Sequence, residues 1–181
     1  MSFLFRTSKV VTLGLLALGM PAGLFASEAA PDAELHPLAL HVNGVTYHFK
    51  RLGQNEANYG LGFSYYVHRV RSQQAWLDGS VISVESDIYK DSAGDLGFAA
   101  GAAWQRHIVG PVDLGLRAAL VHEDGTTATT GVYAMPALVP FVESTVYGPV
   151  RLRVTVVPPA GSITHGFAAL QMIVSTEGIW P

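Results

Sequence analysis

The chain has 181 residues, a formal net charge of −3, no cysteine and 14% charged residues, against a usual charged share of about 25%. Without cysteine there is no disulfide framework, zinc–thiolate site or cysteine nucleophile, and the net charge gives no reason to expect a nucleic-acid partner. The mean hydropathy is +0.29, yet beyond residue 26 no apolar run is long enough for a transmembrane helix.

Residues 1–26 carry Arg6 and Lys9 ahead of an apolar stretch interrupted by Gly14, Gly19, Pro21 and Gly23, and end on small residues around Ala26 and Ser27. That is the pattern of a cleaved secretory signal peptide, too short and glycine-rich for a membrane-spanning helix. Residues 27–41 contain Pro31 and Pro37 and no helical stripe, which predicts an extended lead-in. Residues 42–181 then suit a single domain. An exported hydrophobic chain without spanning helices is expected to cross a membrane as a closed barrel, the other arrangement that satisfies every backbone group in lipid.

Periodicity points the same way. Tyr59, Leu61, Phe63, Tyr65 and Val67 alternate with Gly60, Gly62, Ser64, Tyr66 and His68. Val112, Leu114, Leu116, Ala118 and Leu120 alternate with Asp113, Gly115, Arg117 and Ala119, and Val150, Leu152, Val154 and Val156 with Arg151, Arg153 and Thr155. A period of two means strand, with one face suited to lipid and the other small or polar. Eight strands are expected, near 42–50, 58–70, 75–89, 96–108, 112–122, 131–138, 147–156 and 165–175; those near 75–89, 131–138 and 165–175 alternate poorly. Turn signals fall at 52–55, 91–95, 109–111, 123–125 and 158–161. The predicted fold class is all-β, an eight-stranded antiparallel transmembrane β-barrel.

The residues that carry chemistry sit at strand ends. His48 closes the first strand, and Asp91-Ser92 follows the third. A hydroxyl becomes a useful nucleophile or proton relay when an imidazole takes its proton, and a carboxylate can hold that imidazole in the right tautomer. If both ends of the barrel's strand order lie in the periplasm, the connections after His48 and after Tyr89 open on the same, outer side. By itself Asp91-Ser92-Ala93-Gly94-Asp95 is also a good turn, because aspartate and serine cap local N–H groups. His36, His41, His68, His107, His122 and His165 read as interfacial or lumen-facing, and Tyr47, Phe49, Tyr65, Tyr66, Trp76 and Trp104 as membrane-interface anchors. No histidine pair has helical metal spacing, so no metal site is expected.

Thr46-Tyr47-His48, Lys90-Asp91-Ser92, Pro136, Pro140, Tyr147-Gly148-Pro149-Val150 and Pro158 stand in an order that resembles the lipid A palmitoyltransferase (PagP) family over residues 45–157. The resemblance implies a cofactor-independent outer-membrane enzyme of a Gram-negative bacterium, monomeric, moving a fatty acyl chain, palmitoyl by analogy, from a phospholipid donor to a lipid A acceptor. It assigns catalysis to His48, Asp91 and Ser92, a lateral gap for lipid access to Pro140 and Pro158, and the floor of the acyl shaft to Ala103, where the family has glycine before a tryptophan. On that assignment Ala103→Gly selects a longer chain and Ala103→Met a shorter one. The chain departs from the family in lacking the N-terminal amphipathic helix and the second proline-marked gap. The alternative is a non-catalytic structural barrel, which a lumen packed with interlocking polar pairs would favour; an apolar slot reaching toward His48 would favour the enzyme.

Overall fold

The computed structural model describes residues 38–50, 52–124, 127–128, 131–159 and 166–176. The expected signal peptide and most of the lead-in lie outside the described residues. Eight strands follow in chain order: β1 Leu38–His48, β2 Ala57–Arg69, β3 Val81–Lys90, β4 Leu96–Val109, β5 Val112–His122, β6 Met135–Tyr147, β7 Val150–Val157 and β8 Phe167–Ser175. Each pairs antiparallel with the next, and β1 pairs with β8 to close the barrel. Even the flanking chain joins the seam, for Thr176 N–H donates to the Leu38 carbonyl at 3.1 Å.

Strands β1, β3, β6 and β7 differ from those predicted by three residues or more, and β6 begins at Met135 where 131 was expected. β1 starts at Leu38, before residue 42, because Leu38, Ala39, Leu40 and His41 already pair with Tyr65, Ser64, Phe63 and Gly62. β3 starts at Val81, not near 75, because Leu77 and Asp78 N–H donate to the Gln74 carbonyl and Gly79 N–H to that of Val70, closing a turn that leaves Trp76 exposed. β6 runs to Tyr147, and β7 begins only at Val150, because Gly148 turns the chain with φ +50°, a conformation open to residues without a Cβ.

The outer wall is apolar. Leu40, Tyr59, Leu61, Phe63, Ile88, Leu114, Leu120, Leu138, Val142 and Val154 are all exposed, as the outward members of alternating strands. No helix among the described residues is long and apolar enough to cross a membrane, which leaves open crossing by strands.

Inside, the middle of the lumen is closed by a layer of buried ion pairs. Arg153 reaches Glu85 from Nη1 at 2.8 Å and Glu143 from Nε at 2.8 Å. Arg117 Nη1 meets Asp87 at 2.7 Å, and Arg151 Nη1 meets Glu143 at 2.7 Å. Three guanidinium groups thus stand against three carboxylates. His41 Nδ1 lies 3.0 Å from Asp87 Oδ1, and Gln171 Nε2 donates to Asn43 and, at 3.2 Å, to Asp87. The layer joins β1, β3, β5, β6, β7 and β8 across the barrel. Burial without pairing would cost each of these charges several kcal/mol, so their mutual satisfaction is what makes a polar core tolerable. Tyr66, expected as an interface anchor, instead turns inward and accepts from Arg151, because it lies on the inward parity of β2.

Next to the layer, Phe141 packs beneath the Arg153 guanidinium at 4.1 Å, and its ring fills the place where Gly115, its cross-strand partner, has no side chain. On the His48 side the inward positions mix small or apolar residues, Gly60, Gly62, Ala99, Ala119, Ala137, Val139 and Ala169, with the polar Thr46, Asn58, Thr155 and Tyr89, whose hydroxyl donates to Glu123 at 3.2 Å. Several of them stay half-buried, whereas Arg153, Glu143 and Asp87 are fully enclosed.

Candidate functional site

His48 is the last residue of β1 and pairs with Phe167 of β8, whose ring centre lies 5.9 Å from that of the imidazole. Ser92 lies in the turn between β3 and β4, at the same end of the barrel. Its Oγ is 2.9 Å from His48 Nε2. That separation is hydrogen-bonding; in the tautomer that carries its proton on Nδ1, Nε2 accepts from the hydroxyl, the arrangement in which an imidazole can take the proton of an attacking oxygen. The pair is 44 residues apart in sequence, and antiparallel order alone brings it to one rim.

Asp91 reaches that rim too, but the expected hydrogen bond to His48 is not formed. Asp91 Oδ1 accepts from the N–H groups of Ala93 and Asp95, each at 2.9 Å, and Oδ2 accepts from Asp124 N–H at 2.8 Å. A short acidic side chain at the start of a turn finds backbone donors nearer than a ring on another strand. Among the described residues, none is a hydrogen-bond partner of the buried His48 Nδ1. The rim therefore carries a histidine–serine pair, with the aspartate as a clasp joining the β3–β4 turn to the β5–β6 connection.

Two asparagines missed by sequence reading hold Ser92 from the other side. Asn58 Nδ2 donates to the Lys90 carbonyl at 2.7 Å, Asn55 Nδ2 to that of Asp91 at 3.1 Å, and Asn55 N–H to that of Ser92 at 2.9 Å. Asn55 looked like an ordinary turn residue, and only the tertiary pairing reveals which carbonyls it serves.

Pro140 lies within β6 and faces outward; Pro158 immediately follows β7. On its β5 side β6 pairs without a break from Met135 to Ser144, but on its β7 side pairing starts only at Phe141↔Thr155. Val156 and Val157 pair with β8 alone. Among the described residues the wall is therefore unladdered between the half of β6 nearer the His48 end and the end of β7. Proline has no N–H to offer, so Pro136 and Pro140 are compatible with a strand side that has no partner. Between β1 and β2 the ladder ends at Val45↔Ala57, where Thr46 N–H still donates to the Glu56 carbonyl at 2.8 Å.

Ala103 is buried on the inward face of β4, between Ser83 and Arg117. It is not the first surface met from the His48 end. The Arg117 side chain rises from the position opposite Ala103 toward that end, where Nη2 approaches the Ala99 carbonyl at 3.4 Å and Nη1 meets Asp87. The ion-pair layer thus lies between Ala103 and His48.

The arrangement offers an imidazole and a hydroxyl in contact at one rim, inward positions behind them that include several glycines and alanines, and an unladdered stretch of wall between β6 and β7. Compared with protein-family models and with curated proteins, the chain matches none.

Proposed function

We propose that this protein is an outer-membrane acyltransferase, moving a fatty acyl chain, palmitoyl by resemblance to the lipid A palmitoyltransferase family, from a phospholipid to lipid A. The observation that carries this reading is the 2.9 Å approach of Ser92 Oγ to His48 Nε2, at the rim where short motifs of that resemblance meet. The apolar outer wall supports placement in a bilayer, with the strands satisfying their backbone groups among themselves. In the reaction His48 accepts a proton, either from Ser92 as it attacks the donor's ester carbonyl or, through Ser92 as relay, from the acceptor hydroxyl. The proton then passes to the leaving glycerol oxygen as the donor ester breaks. On the direct route the new ester is already on the acceptor; on the Ser92 route the acceptor hydroxyl attacks the Ser92 ester, His48 taking its proton and returning it to Ser92 Oγ as that ester breaks. Asp91 holds the turn that carries Ser92. The unladdered stretch beside Pro140 and Pro158 supports lateral access for a lipid chain, which would otherwise have to cross a continuous hydrogen-bonded wall.

The test is mass spectrometry of lipid A from cells with and without the gene. Added mass equal to one long acyl chain, present only with the gene, is the expected result; identical lipid A under induced expression would remove the acyltransferase reading.

Chain length offers a second check. With the Arg117–Asp87 pair standing between the His48 rim and Ala103, Ala103→Gly is expected to leave the acyl-length profile unchanged, because the added space lies behind the guanidinium. Transfer from phospholipids of graded chain length reads this directly. A shift toward longer chains would put the floor back at Ala103.

A second reading has one observation in its favour. The buried ion-pair layer is the kind of lumen filling that a non-catalytic structural barrel needs, since it seals the interior and ties six strands together. On that reading lipid A is unchanged by the gene while the envelope without it becomes more permeable.

A further inference from the structure

The geometry points to Asn55, supported by Asn58, as the positioning residue that sets Ser92 against His48; this rests on the acyl-transfer reading above. Backbone pairing between β2 and β3 stops at Gly60↔Tyr89. Beyond it, the next three carbonyls of the β3 end, those of Lys90, Asp91 and Ser92, are taken in turn by Asn58 Nδ2, Asn55 Nδ2 and Asn55 N–H. Two side-chain amides and one peptide N–H extend the ladder past its end. A carboxamide can do this because it presents the same donor and acceptor as a peptide bond.

The position of Asn55 in the chain gives the contact its consequence. It lies in the segment that leaves His48 at the end of β1 and returns as β2. That segment is anchored to β1 itself by Thr46 N–H donating to the Glu56 carbonyl. Asn55 is also locked in place: Oδ1 accepts from Ala57 N–H at 3.2 Å, and Nδ2 reaches the Ala57 carbonyl at 3.0 Å. Asn55 therefore joins, through its side chain and its backbone N–H together, the segment that leaves the imidazole to the turn that carries the hydroxyl. Asp91 clasps the same turn from the β5–β6 side. Ser92 is held between two clamps, and Asn55 is the one that references it to His48.

Asn55→Asp is the discriminating substitution. It keeps the size and the acceptor for Ala57 N–H, but removes the donor and turns a carboxylate oxygen toward the Asp91 and Ala57 carbonyls. Asn55→Ala removes the side-chain part of the clamp, the bond to the Asp91 carbonyl, without adding charge and keeps the backbone bond to the Ser92 carbonyl; it serves if the aspartate variant fails to fold. With the barrel folded by heat-modifiable gel mobility, the expected kinetic result is a drop in kcat of about 100-fold, the scale of a 1 Å misplacement of a reacting group, with KM for the phospholipid changed less than about threefold. The second readout needs no activity: the imidazole ¹⁵N resonances of His48 are recorded in detergent for each form. In the parent protein Ser92→Ala should move the Nε2 signal, and in Asn55→Asp or Asn55→Ala the same change should have no further effect, because the bond is already lost. A His48 signal in the Asn55 variants identical to the parent's, still responsive to Ser92→Ala, would overturn the assignment. If the parent protein transfers no acyl chain, the functional reading fails alone, and the resonance still decides whether Asn55 sets the pair.

Discussion

Replacing Arg153 with alanine is expected to destabilise the folded barrel by about 3–5 kcal/mol, the usual cost of removing one partner from a buried charge pair. Arg153 is almost wholly buried and is the only residue bonded to both Glu85 and Glu143 among the described ion pairs. Without it, Glu85 keeps among the described residues the longer contact with Arg117, at 3.4 Å, and the Ser83 hydroxyl at 3.2 Å, and the excess negative charge stays in the lumen. The variant also strips the guanidinium from the Phe141 ring. Urea titration of the detergent-folded protein, followed by tryptophan fluorescence and gel mobility, measures the loss. The double variant Arg153→Met with Glu85→Gln separates charge from packing. It leaves Arg117 with Asp87 and Arg151 with Glu143, two balanced pairs, so it should regain more than half of the lost stability. A loss below about 1 kcal/mol for the single variant would mean that solvent already reaches the layer, as for exposed pairs.

His48→Ala and Ser92→Ala are expected each to lower acyl transfer by about 10²–10⁴-fold, the range spanned by a positioned general base. The double variant should lose little more than either single one, since two groups acting on one proton behave as a unit. Neither change should alter gel mobility or urea midpoint much, because the pair lies at the rim, away from the ion-pair layer that joins the strands. Full transfer in either single variant would remove the proposed chemistry. Loss of folding in parallel with activity would reassign the pair to structure.

How much of the site was legible depended on range. His48 and Ser92 could be nominated because each closes an alternating segment, and counting antiparallel strands sent both to one rim. Asp91 could be placed there as well, but not given its partners: whether its carboxylate meets a ring or three N–H groups depends on the path of the β5–β6 connection, which supplies the Asp124 donor. Ala103 was readable as inward-facing. That Arg117 rises past it could not be read, because the direction of a long side chain is set by the carboxylates waiting on the next strand but one.

By itself the sequence determined the class of fold, since an alternation of two residues writes the inner and outer faces directly into the order of side chains. It determined the strand count for the same reason, together with the glycine and proline signals between segments. The tertiary structure alone decided which inward charges meet, where the lumen closes, where the β6–β7 ladder breaks and which carbonyls the asparagines capture. Those are contacts between strands far apart in the chain. Their geometry follows from register and from the stagger of a closed sheet, and a one-residue slip turns every side chain to the opposite face.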